Sequence, residues 1–185
     1  MIDSIKAETK EKMEKSVEAL KQNFKKIRTG RASVDMLDGI KVNYYGTPTL
    51  LNQVGNISTP DAKTIVVQPW EKNLIGEIEK AILASNLGIT PQNDGNVVRL
   101  SVPAITEQRR KELAKECKVM CEDIKVAIRN VRKDSNEQIK KSEKSKELSE
   151  DLSKDAQNEI QKITDSYIAK VDELLAVKEK EVLNV

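Results

Sequence analysis

From Ser4 onward the chain places apolar residues at Met13, Val17, Leu20, Phe24 and Ile27, in steps of four, three, four and three, with lysines and glutamates between them. That spacing is an a/d seam and predicts a helix with one narrow buried stripe. Gly30, free to take positive φ, is where this helix is expected to stop. A longer helical pattern begins after Pro103. Thr106 is its candidate N-cap, and Leu113, Cys117, Met120, Ile124, Ala127, Val131 and Ile139 follow with no glycine or proline among them. A third helix is predicted from near Ser149, with Glu150 and Asp151 well placed in its first turn and a stripe of Leu152, Ala156, Ile160, Ile163, Tyr167, Val171 and Leu174. None of the three can bury its stripe alone, so the simplest arrangement packs them together.

Between the first two helices the texture changes: all five prolines and six of the seven glycines fall between Ala32 and Ile105. IKVNYY, TIVVQP and VVRLSV read as strands, with turns at Gly46-Thr47-Pro48 and Asp94-Gly95-Asn96. One helix is predicted from about Leu74 to Ser85, with Ile78, Ile82 and Leu83 on its buried side, and Trp70 is read as packing within this domain. The fold class is therefore α+β: a long three-helix bundle formed by residues 1–30 and 105–185, with a small β-rich α/β domain inserted at 31–104. At 1.5 Å per residue the first helix would run about 38 Å and the other two more than about 50 Å. Both crossings then lie at one end of the bundle, and Thr29, Gly30, Arg31 and Ala32 on one strand with Pro103, Ala104 and Ile105 on the other form the expected hinge.

Composition narrows the chemistry. Charged residues make up 34% of the chain, and the aromatics are only Phe24, Tyr44, Tyr45, Trp70 and Tyr167, which suits an elongated protein better than one with a thick aromatic core. There is no histidine, which removes the commonest general base and the nitrogen ligands of most zinc sites. GxxxxGK, GxGxxG, GxSxG and HExxH are all absent, so neither an enzyme nor a cofactor or metal is expected. Cys117 and Cys121, four apart, read as two buried reduced thiols rather than metal ligands or a redox pair. The opening MIDSIKAETKEKMEK lacks the apolar core of a signal peptide and no apolar run approaches membrane-spanning length, so a soluble cytoplasmic protein with no membrane partner is expected.

Charge is unevenly distributed. Residues 1–31 carry nine Lys/Arg and five Asp/Glu (+4), 32–105 five and seven (−2), 106–146 thirteen and eight (+5), and 147–185 five and ten (−5). Two basic helices packing on one acidic helix would account for this without any ligand. The arginines point further: against 25 lysines there are seven, and six fall in the pairs Arg28 and Arg31, Arg109 and Arg110, and Arg129 and Arg132. Guanidinium groups are favoured where phosphates or bases are gripped in bidentate fashion. Lys125, Arg129 and Arg132, in four-then-three spacing, share one helix face, and Arg132 lies about 39 Å along the helix from the end where the other two pairs meet. Separated phosphate-binding patches on an elongated body suit a large structured RNA.

IRTGRAS at 27–33, YYGTPT at 44–49, PWEKNLIGEIEKAI at 69–82, SNLG at 85–88, TEQRRKELAK at 106–115 and RNVRKDSN at 129–136 closely resemble the bacterial ribosome recycling factor family, and the order of segments matches along the whole chain. The resemblance implies a two-domain, L-shaped protein with a flexible hinge and no catalytic activity. Such a protein binds the post-termination ribosome and, with elongation factor G and GTP, splits it and releases mRNA and deacylated tRNA. It implies that the bundle binds large-subunit ribosomal RNA, with Arg132 and Arg129 at the RNA-contacting positions and Arg28 and Arg31 in support, and that the protein acts as a monomer. Lys125, Arg109 and Arg110 join these as candidates from the clustering alone. Lys133 stands where the family often has arginine, which makes it a further candidate, and Leu50 replaces a frequent proline after YYGTPT. For Trp70 the resemblance offers an alternative to packing, a contact with the small subunit or the translocase. The competing reading is a helical adaptor or chaperone-like protein, which would leave apolar stripes exposed or form a stable oligomer.

Overall fold

The computed structural model describes residues 1–184 and contains helices α1 (Ile2–Lys25), α2 (Ile75–Ala84), α3 (Glu107–Lys144) and α4 (Glu150–Leu183), and strands β1 (Lys41–Tyr44), β2 (Thr47–Leu50), β3 (Gly55–Ser58), β4 (Thr64–Pro69), β5 (Pro91–Asn93) and β6 (Val98–Ser101). The chain divides into two compact units, 1–27 with 111–184, and 28–110.

In the helical unit, cross-helix pairs give the directions. Lys6 pairs with Glu159 and Lys170 with Glu14, so α1 and α4 run parallel, whereas Lys118 with Glu179 and Lys125 with Asp172 set α3 antiparallel to α4. Met13, Val17, Leu20 and Phe24 are buried against Cys117, Cys121, Ile128, Tyr167 and Val171, and a second apolar cluster is built from Ile5, Ile139, Ala156 and Ile160. At the level between them sit three buried hydroxyls, one per helix: Thr9, Ser135 and Thr164. The Thr9 and Ser135 hydroxyls meet at 2.7 Å, and Thr164 donates to the Ile160 carbonyl at 2.8 Å.

Helix ends follow their local chemistry, with one departure. Thr106 accepts from the Arg109 amide at 3.1 Å and Ser149 from the Leu152 amide at 3.3 Å, satisfying N-terminal amides that the helix leaves unpaired. α1 stops at Lys25, short of Gly30, where the amides of Lys26 and Ile27 turn back onto the Asn23 and Phe24 carbonyls. Leu152 is also not part of the α4 seam. It is half exposed, and Ser153, one residue and about 100° further round, takes the buried position.

The other unit is antiparallel throughout. β1 and β2 form a hairpin, and the main sheet has the order β3-β4-β6-β5. α2 buries Ile75, Ile78 and Ile82 against Val42, Ile65, Val67, Val98 and Leu100. Leu83, expected inside, is outside because it lies one residue past the 75, 78, 82 row. Trp70 is likewise exposed at 70% relative accessibility: β4 directs Ile65, Val67 and Pro69 inward, and period-two alternation sends the next residue out. β2, β3 and β5 are absent from the sequence reading because each carries residues that weaken strand patterns: Pro48, Gly55 with Asn56, and Pro91. The sequence turn at Gly46-Thr47-Pro48 is shifted, with Tyr45 and Gly46 at positive φ making the turn and Thr47 and Pro48 already in β2.

Candidate functional site

The longest continuous array of candidate residues is α3. Its buried row, Leu113, Cys117, Cys121, Ile128, Ser135 and Ile139, fixes the rotation of the helix about its axis, and every other position follows at about 100° per residue. Lys111, Lys115, Lys118, Arg129, Lys133 and Lys140 fall along the flank nearest α4, and all are exposed. Glu112, Glu116, Asp123, Asp134 and Glu137 fall along the opposite flank and are exposed too. The helix is thus split lengthwise into a mainly cationic and a mainly anionic side, with Glu122 the exception on the first and Arg109 and Lys141 on the second. Lys12 of α1 is held charged chiefly by Glu8 and to a lesser degree by Asp134 of the acidic flank.

Along the cationic flank the candidates are in different states. Arg132 is half-buried and its Nη1 donates to Gln161 Oε1 on α4 at 2.9 Å, while Gln161 in turn donates to Asp165 at 2.8 Å. This leaves the rest of the guanidinium fork pre-oriented by a neutral partner that does not cancel its charge. Arg129 and Lys133 are exposed, with no ion pair among the described residues. Lys125 is different: its ammonium sits 2.6 Å from Asp172 and 3.3 Å from Glu122, and the Asp172 hydrogen bond is the main reason its pKa is raised. Its charge is already used to tie α3 to α4. Lys115, Lys118 and Lys140, which the sequence reading did not single out, complete the stripe, Lys118 being also paired with Glu179 of α4 at 3.3 Å; their helical spacing from Arg129 and Lys133 was the available signal.

The remaining arginines belong to the second unit. Arg28 donates through Nη1 to the Leu87 carbonyl at 2.7 Å and through Nη2 to the Asn86 carbonyl at 3.0 Å. Arg31 is exposed. Arg109 and Arg110 stand in the first turn of α3, exposed and half-buried respectively. Among the expected hinge residues Thr29, Gly30 and Ala32 are buried, Ile105 is half-buried, and Pro103 and Ala104 are exposed.

A second constellation lies on the hairpin. The Tyr45 and Tyr44 hydroxyls donate to the two oxygens of Glu71 at 2.7 and 2.9 Å, Asn73 donates to the Tyr45 hydroxyl at 3.2 Å, and the tyrosine rings meet edge to face at 4.8 Å. These phenols, Tyr45 foremost, hold the Glu71 carboxyl below its ordinary value. Tyr45 keeps φ at 48°, a strained value for a side chain of that size. Trp70, the residue before Glu71, is exposed as well.

Nothing here pairs a nucleophile with a base. Among the described residues no group of three or more His, Cys, Asp or Glu is placed to hold a metal ion, and no helix is long and apolar enough to cross a membrane. Cys117 and Cys121 are buried free thiols, and burial pushes both up, Cys121 to about 11, which disfavours the reactive thiolate. What the α3 flank can do is bind successive phosphates.

Comparison with known proteins shows the family to which such a chain is similar. The model of the family described as "Ribosome recycling factor" matches residues 20–183. The ribosome-recycling factors of Oleidesulfovibrio alaskensis and Aliarcobacter butzleri are 53% and 54% identical to the chain over 184 and 185 residues, covering 100% of both sequences in each case. Among solved structures, a solution structure of the ribosome recycling factor superposes with TM-score 0.81 at 39% identity, covering 100% of this chain and 98% of the other. Models for the T. thermophilus ribosome recycling factor and the E. coli elongation factor G bound to the E. coli post-termination complex superpose with TM-score 0.68 at 44% identity, covering 99% of each chain.

Proposed function

The chain belongs to the ribosome recycling factor family, and from that premise we propose that it binds the post-termination ribosome in the cytoplasm and, with elongation factor G and GTP, promotes separation of the subunits and release of mRNA and deacylated tRNA. It is a translation factor and not an enzyme. Its surface contact with large-subunit ribosomal RNA is assigned to the cationic flank of α3, centred on Arg129, Arg132 and Lys133 and extended by Lys115, Lys118 and Lys140. Arg31, Arg109 and Arg110 form a second group near the crossings. The bundle and the inserted domain act as two separate units, the protein working as a monomer.

The observation that carries this reading is the lengthwise charge split of α3 beside an Arg132 fork held by an uncharged glutamine. A helix needing only to complement its neighbours would neutralise Arg129 and Arg132, as it does Lys125. The adaptor alternative finds no support in the core, because Met13, Val17, Leu20, Ile128 and Val171 are already filled against partners within the chain. The test has two arms: co-sedimentation with large subunits across a salt series, and factor-dependent splitting of post-termination ribosomes. Binding that is insensitive to salt, or absent splitting in the presence of elongation factor G and GTP, would defeat the proposal.

A further inference from the structure

The first crossing between the two units has almost no slack. Ile27 packs against the bundle core and its amide bonds the Phe24 carbonyl at 3.2 Å, so it belongs to the helical unit. Arg28, the next residue, is already fastened to the other unit by its two hydrogen bonds to Leu87 and Asn86, 59 and 58 positions away in sequence. Beyond it the chain stays fastened. Gly30 is buried at φ +75°, and a Cβ there would lie 3.1 Å from Ile105 Cγ1. The Ala32 amide donates to the Ala62 carbonyl at 2.8 Å. The residues that the sequence marks as a flexible connection are therefore built into the α/β unit.

We propose that Arg28 is a positioning residue: its guanidinium clamps the departing strand to the loop after α2, so that rotation between the units is confined on this crossing to the Ile27–Arg28 junction. The chemistry suits the task. The Asn86 and Leu87 carbonyls follow the C-terminus of α2, where the helix dipole and unpaired carbonyls favour a cation. Two adjacent carbonyls also need two donors in a fixed plane, which the guanidinium fork supplies and an ammonium does not. On the returning strand the Val102 amide holds the Lys63 carbonyl at 2.7 Å, and the α/β unit continues past Thr106, which caps α3, to Arg110, so this crossing falls inside α3. One crossing is a point pivot in a loop and the other a continuous helix. Without the Arg28 clamp the pivot would spread over several residues, and a push on one unit would be absorbed by the linker instead of reaching the other.

Only the activity arm of the test rests on the recycling reading. Because Cys117 and Cys121 are buried, spin labels can be placed on Lys154→Cys and Asn96→Cys in the full-length protein, and the distance distribution between them measured by pulsed electron resonance with Arg28, Arg28→Lys and Arg28→Met. The expected result is that both variants widen the distribution by about twofold or more and lower the rate of factor-dependent splitting about three- to tenfold. Arg28→Lys keeps the charge, so it separates clamping from phosphate binding and decides the matter even if Arg28→Met melts early. Unchanged widths would overturn the clamp. So would a normal Arg28→Lys beside an Arg28→Met whose ribosome affinity falls about tenfold, since that pattern assigns Arg28 to RNA. If the unsubstituted protein splits no ribosomes, the functional reading fails while the widths still decide the clamp.

Discussion

Arg132 offers the sharpest separation of binding from folding. In the free protein its only described partner is Gln161, through one exposed hydrogen bond of 2.9 Å. Deleting it should cost within about 0.5 to 1 kcal/mol of stability, the range for solvent-accessible polar contacts. On RNA the same side chain should make a charge-assisted, bidentate contact worth about 1 to 3 kcal/mol, which corresponds to a loss of roughly 5- to 150-fold in affinity. The two ranges barely overlap, so Arg132→Ala should weaken large-subunit binding strongly while the melting curve hardly moves.

Salt adds an independent axis. Each neutralised phosphate contributes roughly 0.7 to 0.9 to the slope of log K against log salt, so Arg132→Ala should flatten that slope by about one contact. Arg132→Lys should keep the slope, because the charge remains, yet lose part of the affinity at every salt concentration because the planar fork is gone. Lys15, exposed on α1 and turned away from its buried seam, provides the control: Lys15→Ala should change neither. Co-sedimentation over about 50 to 300 mM monovalent salt reads all three variants. If Arg132→Ala keeps the affinity and slope of the unsubstituted protein, the cationic flank of α3 is not the RNA-binding surface.

Three further outcomes follow from the geometry. Leu20 is fully buried in the bundle seam, so Leu20→Asp, which buries an unpaired carboxylate, should cost more than about 4 kcal/mol and abolish helical circular dichroism of the bundle at physiological temperature; a surviving transition would refute the seam. Gly30→Ala forces a side chain to φ +75° and against Ile105, so the melting temperature should fall by the equivalent of about 1 to 2 kcal/mol, and an unchanged value would mean the close approach relaxes freely. Burial raises the Cys121 thiol to about 11, so between about pH 9 and 11 the unfolded chain loses its proton while the native state keeps it. Stability should therefore fall as pH rises through that window, by up to about 2 to 3 kcal/mol, and Cys121→Ala should remove that part of the slope seen in denaturant titrations.

Legibility in the sequence tracked how strongly a residue's surroundings repeat. The seam of α1 and the long rows of α3 and α4 are readable because a bundle imposes the same apolar demand every three or four residues. Thr9, Ser135, Ser153 and Thr164 escaped because they occupy seam positions as polar residues, each carrying its hydroxyl on a neighbour or a backbone carbonyl. In the α/β unit β4 and β6 announce themselves through buried alternation, whereas β2, β3 and β5 are short strands held by pairing with a neighbour that their own composition does not predict. The arginine pairs were visible as clusters, but their different duties were not. Arg28 and Arg132 look alike in sequence, and only the partner atoms, two backbone carbonyls for one and a glutamine for the other, distinguish a clamp from an available ligand.

The hydroxyl layer connects the core to the surface. A seam of interchangeable apolar residues tolerates slippage, since sliding one helix by a heptad exchanges one aliphatic contact for another. Thr9 and Ser135 resist it: their hydroxyls meet only in one register, and a slip on α3 would set Thr9 opposite Ile128 or Ser142 and forfeit a buried interhelical hydrogen bond worth about 1 kcal/mol. The pairs Lys6 with Glu159 and Lys170 with Glu14 carry that register from α1 to α4, and Lys118 with Glu179 and Lys125 with Asp172 carry it from α4 to α3. Each surface pair contributes little alone, but together they close a ring of constraints around the bundle. Register matters at Arg132 above all. A heptad slip of α4 would present Lys154 or Ile168 where Gln161 now stands, replacing the neutral acceptor that aims the guanidinium with a repelling cation or with no acceptor. The polar core layer and the flanking ion pairs thus hold Arg132 in the orientation its task requires.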